Sequence, residues 1–364
     1  MTRRTMGMAV AALALLLAAC GGSSDGKAAP AASGAGSEST TSGASAATTT
    51  TTEPATAPGA AVASPGCTAG TKPTPVTEQK QTVDVAGTQR WYLLTAPKAA
   101  DDAKPQPLIV DYHGLSEGAV IHTKMSGFSA LAEKDGFVVA FPQGLGTPVG
   151  WSAAIGKDSH GDQAFTTALL DQIEQTHCID TSRVYAAGLS NGAFMASSVA
   201  CTHADRFAAV APVAGAQALT PCAAKRPVPL LTFHGTSDPI LLFNGGVDGD
   251  YLGNVLAGKP VVQKDRPYDV NGPGYPQAVA DWATRNGCAA KHTDTKVTAH
   301  VIHRVYSCPA GADVELYIII GGGHAWPGSA FSAAAAKIVG PTTMEIDASS
   351  LIWTFFQRFQ LPAA

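Results

Sequence analysis

Residues 183–192 read Arg-Val-Tyr-Ala-Ala-Gly-Leu-Ser-Asn-Gly, and this stretch decides the fold. The apolar run 183–188 has the length of a buried strand, and a helix is expected from 193 to about 202. Between them lies Gly188-Leu189-Ser190-Asn191-Gly192, a G-x-S-x-G pentapeptide. The pattern alone recurs by chance; a strand before it and a helix after it make it specific. The turn must be sharp, so a side chain at position 188 or 192 would crowd the neighbouring elements. Ser190 is thereby lifted clear of the sheet as a candidate nucleophile. The N–H of Asn191, at the start of the helix, points to where an oxyanion would form.

Working outward, the same alternation recurs. A hairpin is expected over 83–96. Buried strands are expected at 107–112, 136–141, 207–213, 228–233 and 314–320. Helices are expected at 126–134, from Asp162 (whose side chain can cap it), at 277–286 and at 348–359. Apolar runs alternating with helices predict a mostly parallel central sheet with helices on both faces. In such sheets the site lies beyond the carboxyl ends of the strands. The Gly- and Asp-rich connection 241–275 is long enough to be a lid or pocket wall, or a surface insertion.

A serine hydroxyl needs a base. In α/β-hydrolases the chain order is Ser, acid, His. His324, on the Gly-rich loop after the last strand, fits the base. Asp238, after the strand 228–233, fits the acid that would hold the imidazole's tautomer. His113 precedes the serine, His234 precedes any acid, and His303 falls inside a predicted strand. The second oxyanion donor is placed at the N–H of Leu115, with Gly114 and Ser116 as neighbours one residue away. Trp151 and Trp326 lie in loops on the catalytic side, where they either wall an acyl or aromatic pocket or cover the edge of the core.

The 364 residues carry 24 Lys+Arg against 28 Asp+Glu, a balance that does not suggest nucleic-acid binding. Arg3 and Arg4 precede the apolar run 6–19, too short to span a membrane. Leu17-Ala18-Ala19-Cys20 resembles a bacterial lipobox, so 1–20 reads as a lipoprotein signal peptide with Cys20 as the lipidation site. Residues 21–66 are almost all Gly, Ala, Ser, Thr and Pro and read as a disordered tether. The catalytic domain is then 67–364. Six further cysteines in an exported chain suggest disulfides. Cys288 and Cys308, flanking a predicted strand at 296–305, are the best-placed pair, worth about 3 kcal/mol by chain entropy. No two cysteines have C-x-x-C spacing, and no metal site is expected.

Residues 90–359 resemble the polyhydroxybutyrate-depolymerase-type esterase family, which includes feruloyl and acetyl-xylan esterases and actinobacterial esterase lipoproteins. The matching motifs are Tyr112-His113-Gly114, Phe141-Pro142-Gln143-Gly144, the segment from Arg183 to Gly192, Phe233-His234-Gly235-Thr236-Ser237-Asp238, the run from Trp282 to Cys288, and Gly322-Gly323-His324-Ala325-Trp326-Pro327-Gly328. By this resemblance the triad is Ser190, Asp238 and His324, on an α/β-hydrolase fold. It implies an exported serine carboxylesterase that needs no cofactor and acts through an acyl-enzyme on a small-molecule, polysaccharide-linked or polymeric ester. Only a lipid anchor would touch the membrane, and nucleic acid is no partner. Polymer depolymerases usually carry a separate polymer-binding domain. This chain ends at Ala364, directly after its last helix, which favours a soluble or modest-sized ester. A polymer depolymerase, a serine peptidase of the same fold and a non-catalytic surface binding protein are the alternatives.

Overall fold

The computed structural model describes residues 59–68, 75–97, 104–153 and 158–362. They fall within one unit, Ala57–Ala364. The segments expected as signal peptide and tether, up to residue 58 and including Cys20, lie outside the described residues.

In chain order the elements are β1 (Val76–Val85), β2 (Thr88–Ala96), β3 (Gln106–Tyr112), α1 (Ala119–Ser126), α2 (Phe128–Asp135), β4 (Val138–Pro142), α3 (Asp162–Thr176), β5 (Ile179–Leu189), α4 (Asn191–Thr202), β6 (Ala209–Val213), β7 (Leu230–Gly235), α5 (Gly249–Leu256), α6 (Tyr275–Arg285), β8 (His292–Lys296), β9 (Val301–Tyr306), β10 (Val314–Ile319), α7 (Ala330–Ala334), α8 (Ala336–Val339) and α9 (Ala348–Phe356). The strands form one sheet in the order β1-β2-β4-β3-β5-β6-β7-β10-β9-β8. Strands β4, β3, β5, β6, β7 and β10 are parallel, and antiparallel pairs close both edges.

The period of two along each central strand divides the core. Leu108, Val110 and Tyr112 of β3 face the layer of α3, α4 and α6, with Phe165, Met195 and Trp282. Ile109 of β3 and Tyr185 and Ala187 of β5 face the layer of α1, α2 and α9, with Phe128 and Phe356. A parallel strand covered on both sides needs apolar residues at every position, which is why these runs do not alternate in polarity.

Several boundaries move. The helix expected at 126–134 is α2, which begins two residues later, and the unexpected α1 precedes it, separated by Gly127 at φ 66°. The strand expected at 296–305 is the β8/β9 hairpin. Asp162 does not cap α3: it is the first helical residue, and its buried carboxylate pairs with Arg90 at 2.8 Å. The last residues assigned to the tether belong to the fold. Ala63 bridges Asp180, Val62 donates its N–H to Asp180 Oδ1 at 2.9 Å, and Ser64 Oγ donates to the His177 carbonyl. Cys67 is bonded to Cys178, and this covalent neighbour holds the preceding residues against the start of β5. Cys288 and Cys308 form the expected bridge, and Cys201 pairs with Cys222.

Candidate active site

At the end of β5 the backbone turns sharply. Ser190 has φ 57° and ψ −115°, a strained conformation for a residue with a side chain. The flanking glycines allow it. A Cβ on Gly188 would lie 2.6 Å from the Gly192 carbonyl oxygen, and one on Gly192 would collide with the backbone of Tyr112. The turn is held by the Ser190 N–H on the Val213 carbonyl and by the Phe194 N–H on the Ser190 carbonyl.

Asp238 and His324 come from the loops after β7 and β10, and the two loops are laced together. Thr236 Oγ1 accepts the Gly321 N–H at 2.8 Å, and the Ser237 N–H donates to the Gly322 carbonyl at 2.9 Å. His324 Nδ1 lies 2.7 Å from Asp238 Oδ2. The other oxygen of Asp238 accepts the N–H groups of Ile240 and Leu241, both at 2.8 Å. Burial pulls this carboxyl's pKa upward. The charge of His324 and hydrogen bonds from His234 and His324 outweigh burial and hold it well below the usual carboxylate range. Asp238 and His324 are thus joined, and Ser190 stands on its sharp turn. Among the described residues no hydrogen bond connects Ser190 Oγ to His324; such contacts commonly tighten when substrate binds.

Two of the three possible second oxyanion donors are taken. The Gly114 N–H donates to Glu117 Oε2 at 2.5 Å, and the Ser116 N–H donates to the Val149 carbonyl at 2.7 Å. The Leu115 N–H has no acceptor among the described residues, nor has the Asn191 N–H. The Asn191 side chain has a separate task. Its Oδ1 accepts the Trp151 N–H at 2.6 Å and its Nδ2 donates to the Trp151 carbonyl, tying the 145–151 loop to the elbow.

Both tryptophans are buried and tied down by their indole N–H groups. The Trp151 indole N–H donates to the His113 carbonyl and its ring meets Tyr112 edge-on. Trp326 is 1% exposed, its N–H on Ser349 Oγ and its ring against Phe128 and His122. An indole N–H that finds a buried partner draws the whole ring inward. His113 is also structural. Its Nε2 accepts the Gly144 N–H and its Nδ1 donates to the Gly114 carbonyl, while burial pushes its pKa down to about 4, so it stays neutral.

His234, passed over as too early in the chain to be the base, packs beside Asp238. Its Nε2 is 3.3 Å from Asp238 Oδ2 and 2.9 Å from the Leu241 carbonyl, and its ring stacks on Tyr275. The signal was its place four residues before Asp238 at a strand end. Glu117 and its partners were missed as well. The clue there was an aspartate, Asp111, inside the otherwise apolar strand 107–112.

Residues 90–263 match the family described as "Esterase PHB depolymerase". The chain is 31% identical over 243 residues to feruloyl esterase B of Piromyces equi, covering 65% of this chain but only 42% of that protein. It is 30% identical over 323 residues to NocK of Nocardia uniformis subsp. tsuyamanensis, covering 80% of this chain and 88% of that one. Among solved structures, the acetyl xylan esterase from Aspergillus awamori overlaps 68% of this chain and 94% of its own, at 15% identity and a TM-score of 0.48. The match to NocK runs over most of both chains, and the chain belongs to the PHB-depolymerase esterase family.

Proposed function

We propose that the chain is a serine carboxylic-ester hydrolase with Ser190 as nucleophile, His324 as base and Asp238 as acid. The observation that carries this is the strained Ser190 elbow in a fold that also joins His324 Nδ1 to a buried, ionised Asp238. Ser190 Oγ attacks the ester carbonyl as His324 Nε2 takes its proton. The tetrahedral oxyanion is met by the N–H groups of Asn191 and Leu115. Collapse expels the alcohol, protonated by the imidazolium, and leaves the acyl group on Ser190. Water, deprotonated by His324, then attacks the acyl-enzyme, and the acid leaves as the Ser190 hydroxyl is restored.

The reading covers short-chain, hydroxycinnamoyl or 3-hydroxyalkanoate esters; the feruloyl esterases among the relatives support the second. Three disulfides support an oxidising compartment. With the lipobox they support export to the cell envelope and anchoring through Cys20. The test compares the protein with its Ser190→Ala variant on p-nitrophenyl acetate, butyrate and octanoate and on methyl ferulate. Turnover of one class by the parent, lost in the variant by several orders of magnitude, is expected. A folded, oxidised parent that hydrolyses none of them overturns the reading.

A further inference from the structure

On the sheet face opposite the nucleophile's helix, three ionisable side chains are sealed in the core. Asp111 and His122 are 0% exposed, and Glu117 shows 8% of its side chain. His122 Nε2 lies 2.9 Å from Asp111 Oδ1, and His122 Nδ1 lies 3.0 Å from Glu117 Oε1. They meet for local reasons. Asp111 sits on β3 among side chains that point to this face. Gln143 Oε1 accepts the Ala119 N–H and fixes the start of α1, and His122 follows one turn later. The rings of Phe141 and Trp326 close over the imidazole edge-on.

We propose that Glu117 is a positioning residue for the oxyanion loop, held ionised by an imidazolium at His122 that Asp111 anchors in turn. This rests on the ester-hydrolase reading above. The second carboxylate oxygen of Glu117 leaves the cluster and takes the Gly114 N–H. Gly114 lies directly between this carboxylate and the nucleophile. A Cβ built on it would be 3.0 Å from Glu117 Oε2 and 3.6 Å from the Ser190 Cβ. Glu117 thereby turns one peptide of the loop inward and leaves the next N–H, that of Leu115, for the oxyanion. A bare carboxylate so near a forming negative charge would oppose catalysis. The His122 imidazolium offsets part of the Glu117 charge, one cation standing between two carboxylates, and the two carboxylates hold it in place at the cost of desolvation. Burial pushes the His122 pKa down, but Asp111 and Glu117 more than reverse this and raise it to about 10. A cluster that served the core alone would not spend a carboxylate oxygen on an active-site peptide.

The experiment uses the full chain. Glu117→Gln keeps the shape of the side chain and removes its charge. Its kcat on p-nitrophenyl butyrate is expected to fall about 10²-fold, the scale of one lost oxyanion donor. KM should stay within about threefold, and a butylboronic acid adduct should weaken by a factor similar to the loss in kcat. A kcat within about threefold of the parent, or a loss with unchanged boronate affinity, overturns the proposal. Asp111→Asn leaves the Glu117–Gly114 bond in place and serves if Glu117→Gln does not fold. His122 is faced by Asp111 from β3, by Glu117 and His113 from the loop after it, and by the two aromatic rings. With Asp111 neutralised, the alkaline limb of kcat should move to lower pH; coincident limbs overturn the proposal. Labelling with a fluorophosphonate separates the two readings. A parent that takes no label on Ser190 overturns the ester-hydrolase assignment, whereas a labelled parent with an undiminished Glu117→Gln variant overturns only the role of Glu117.

Discussion

Two imidazole–carboxylate assemblies flank the proposed nucleophile, and they are built in opposite proportion. On one side a single carboxylate, Asp238, lies against two imidazoles, at 2.7 Å from His324 and 3.3 Å from His234. On the other a single imidazole, His122, lies against two carboxylates, at 2.9 Å from Asp111 and 3.0 Å from Glu117. The ratio decides the chemistry. An imidazole with one carboxylate on one nitrogen keeps the other nitrogen to accept and return a proton, as a base must. An imidazole with a carboxylate on each nitrogen is held protonated and serves as a fixed charge. In the proposed mechanism the same residue types thus serve as a proton carrier in one place and a counter-ion in the other.

The contrast is broken most severely at the nucleophile. Ser190→Ala should lower kcat by roughly 10⁵–10⁶-fold with thermal stability retained, read by single-turnover kinetics beside a melting curve. Asp238→Asn should lower kcat by about 10⁴-fold, because an amide no longer favours the tautomer that leaves His324 Nε2 free. A loss of less than about tenfold would mean that another group orients the base. His234→Phe keeps a ring to stack on Tyr275 and removes the hydrogen bond to Asp238. About a tenfold fall in kcat with little change in KM is expected, equal to roughly 1.4 kcal/mol. A fall confined to KM would show that His234 shapes the binding surface instead. The smallest effect concerns stability. Because the His122 pKa is raised to about 10 in the folded protein, its contribution is complete below the unfolded value near 6.5 and is lost as pH rises through the folded value. Urea denaturation of the parent should therefore show stability falling between about pH 7 and 10, with a shallower slope in Glu117→Gln.

The parallel sheet and its two layers were legible because the central strands are short apolar runs that alternate with helical segments. The nucleophile motif and the chain order pointed to Ser190, Asp238 and His324; the structure shows the sharp turn at Ser190 and joins His324 to Asp238, and their catalytic roles are proposals. The choice of Leu115 over Gly114 and Ser116 was open to one residue, and only the hydrogen bonds to Glu117 and Val149 narrow it. For Trp151 and Trp326 a loop position left open whether the indole walls a pocket or covers the core edge; the partners of their N–H groups turned both inward. The Asp111–His122–Glu117 cluster joins a strand, a loop and a helix, so no single periodicity displays it.

The seam at the start of the fold has a mechanical consequence. The residues ahead of Cys67 run antiparallel to the first residues of β5, and the Cys67–Cys178 bond lies just ahead of that strand. A pull on the chain upstream enters the domain at the beginning of the strand that ends at Ser190. The covalent bridge is the stop that keeps this load from unzipping the sheet beyond residue 67. Tension on the proposed anchor would be carried along the sheet's central strand, and the side loops that hold His324 and Asp238 would stay outside the line of force.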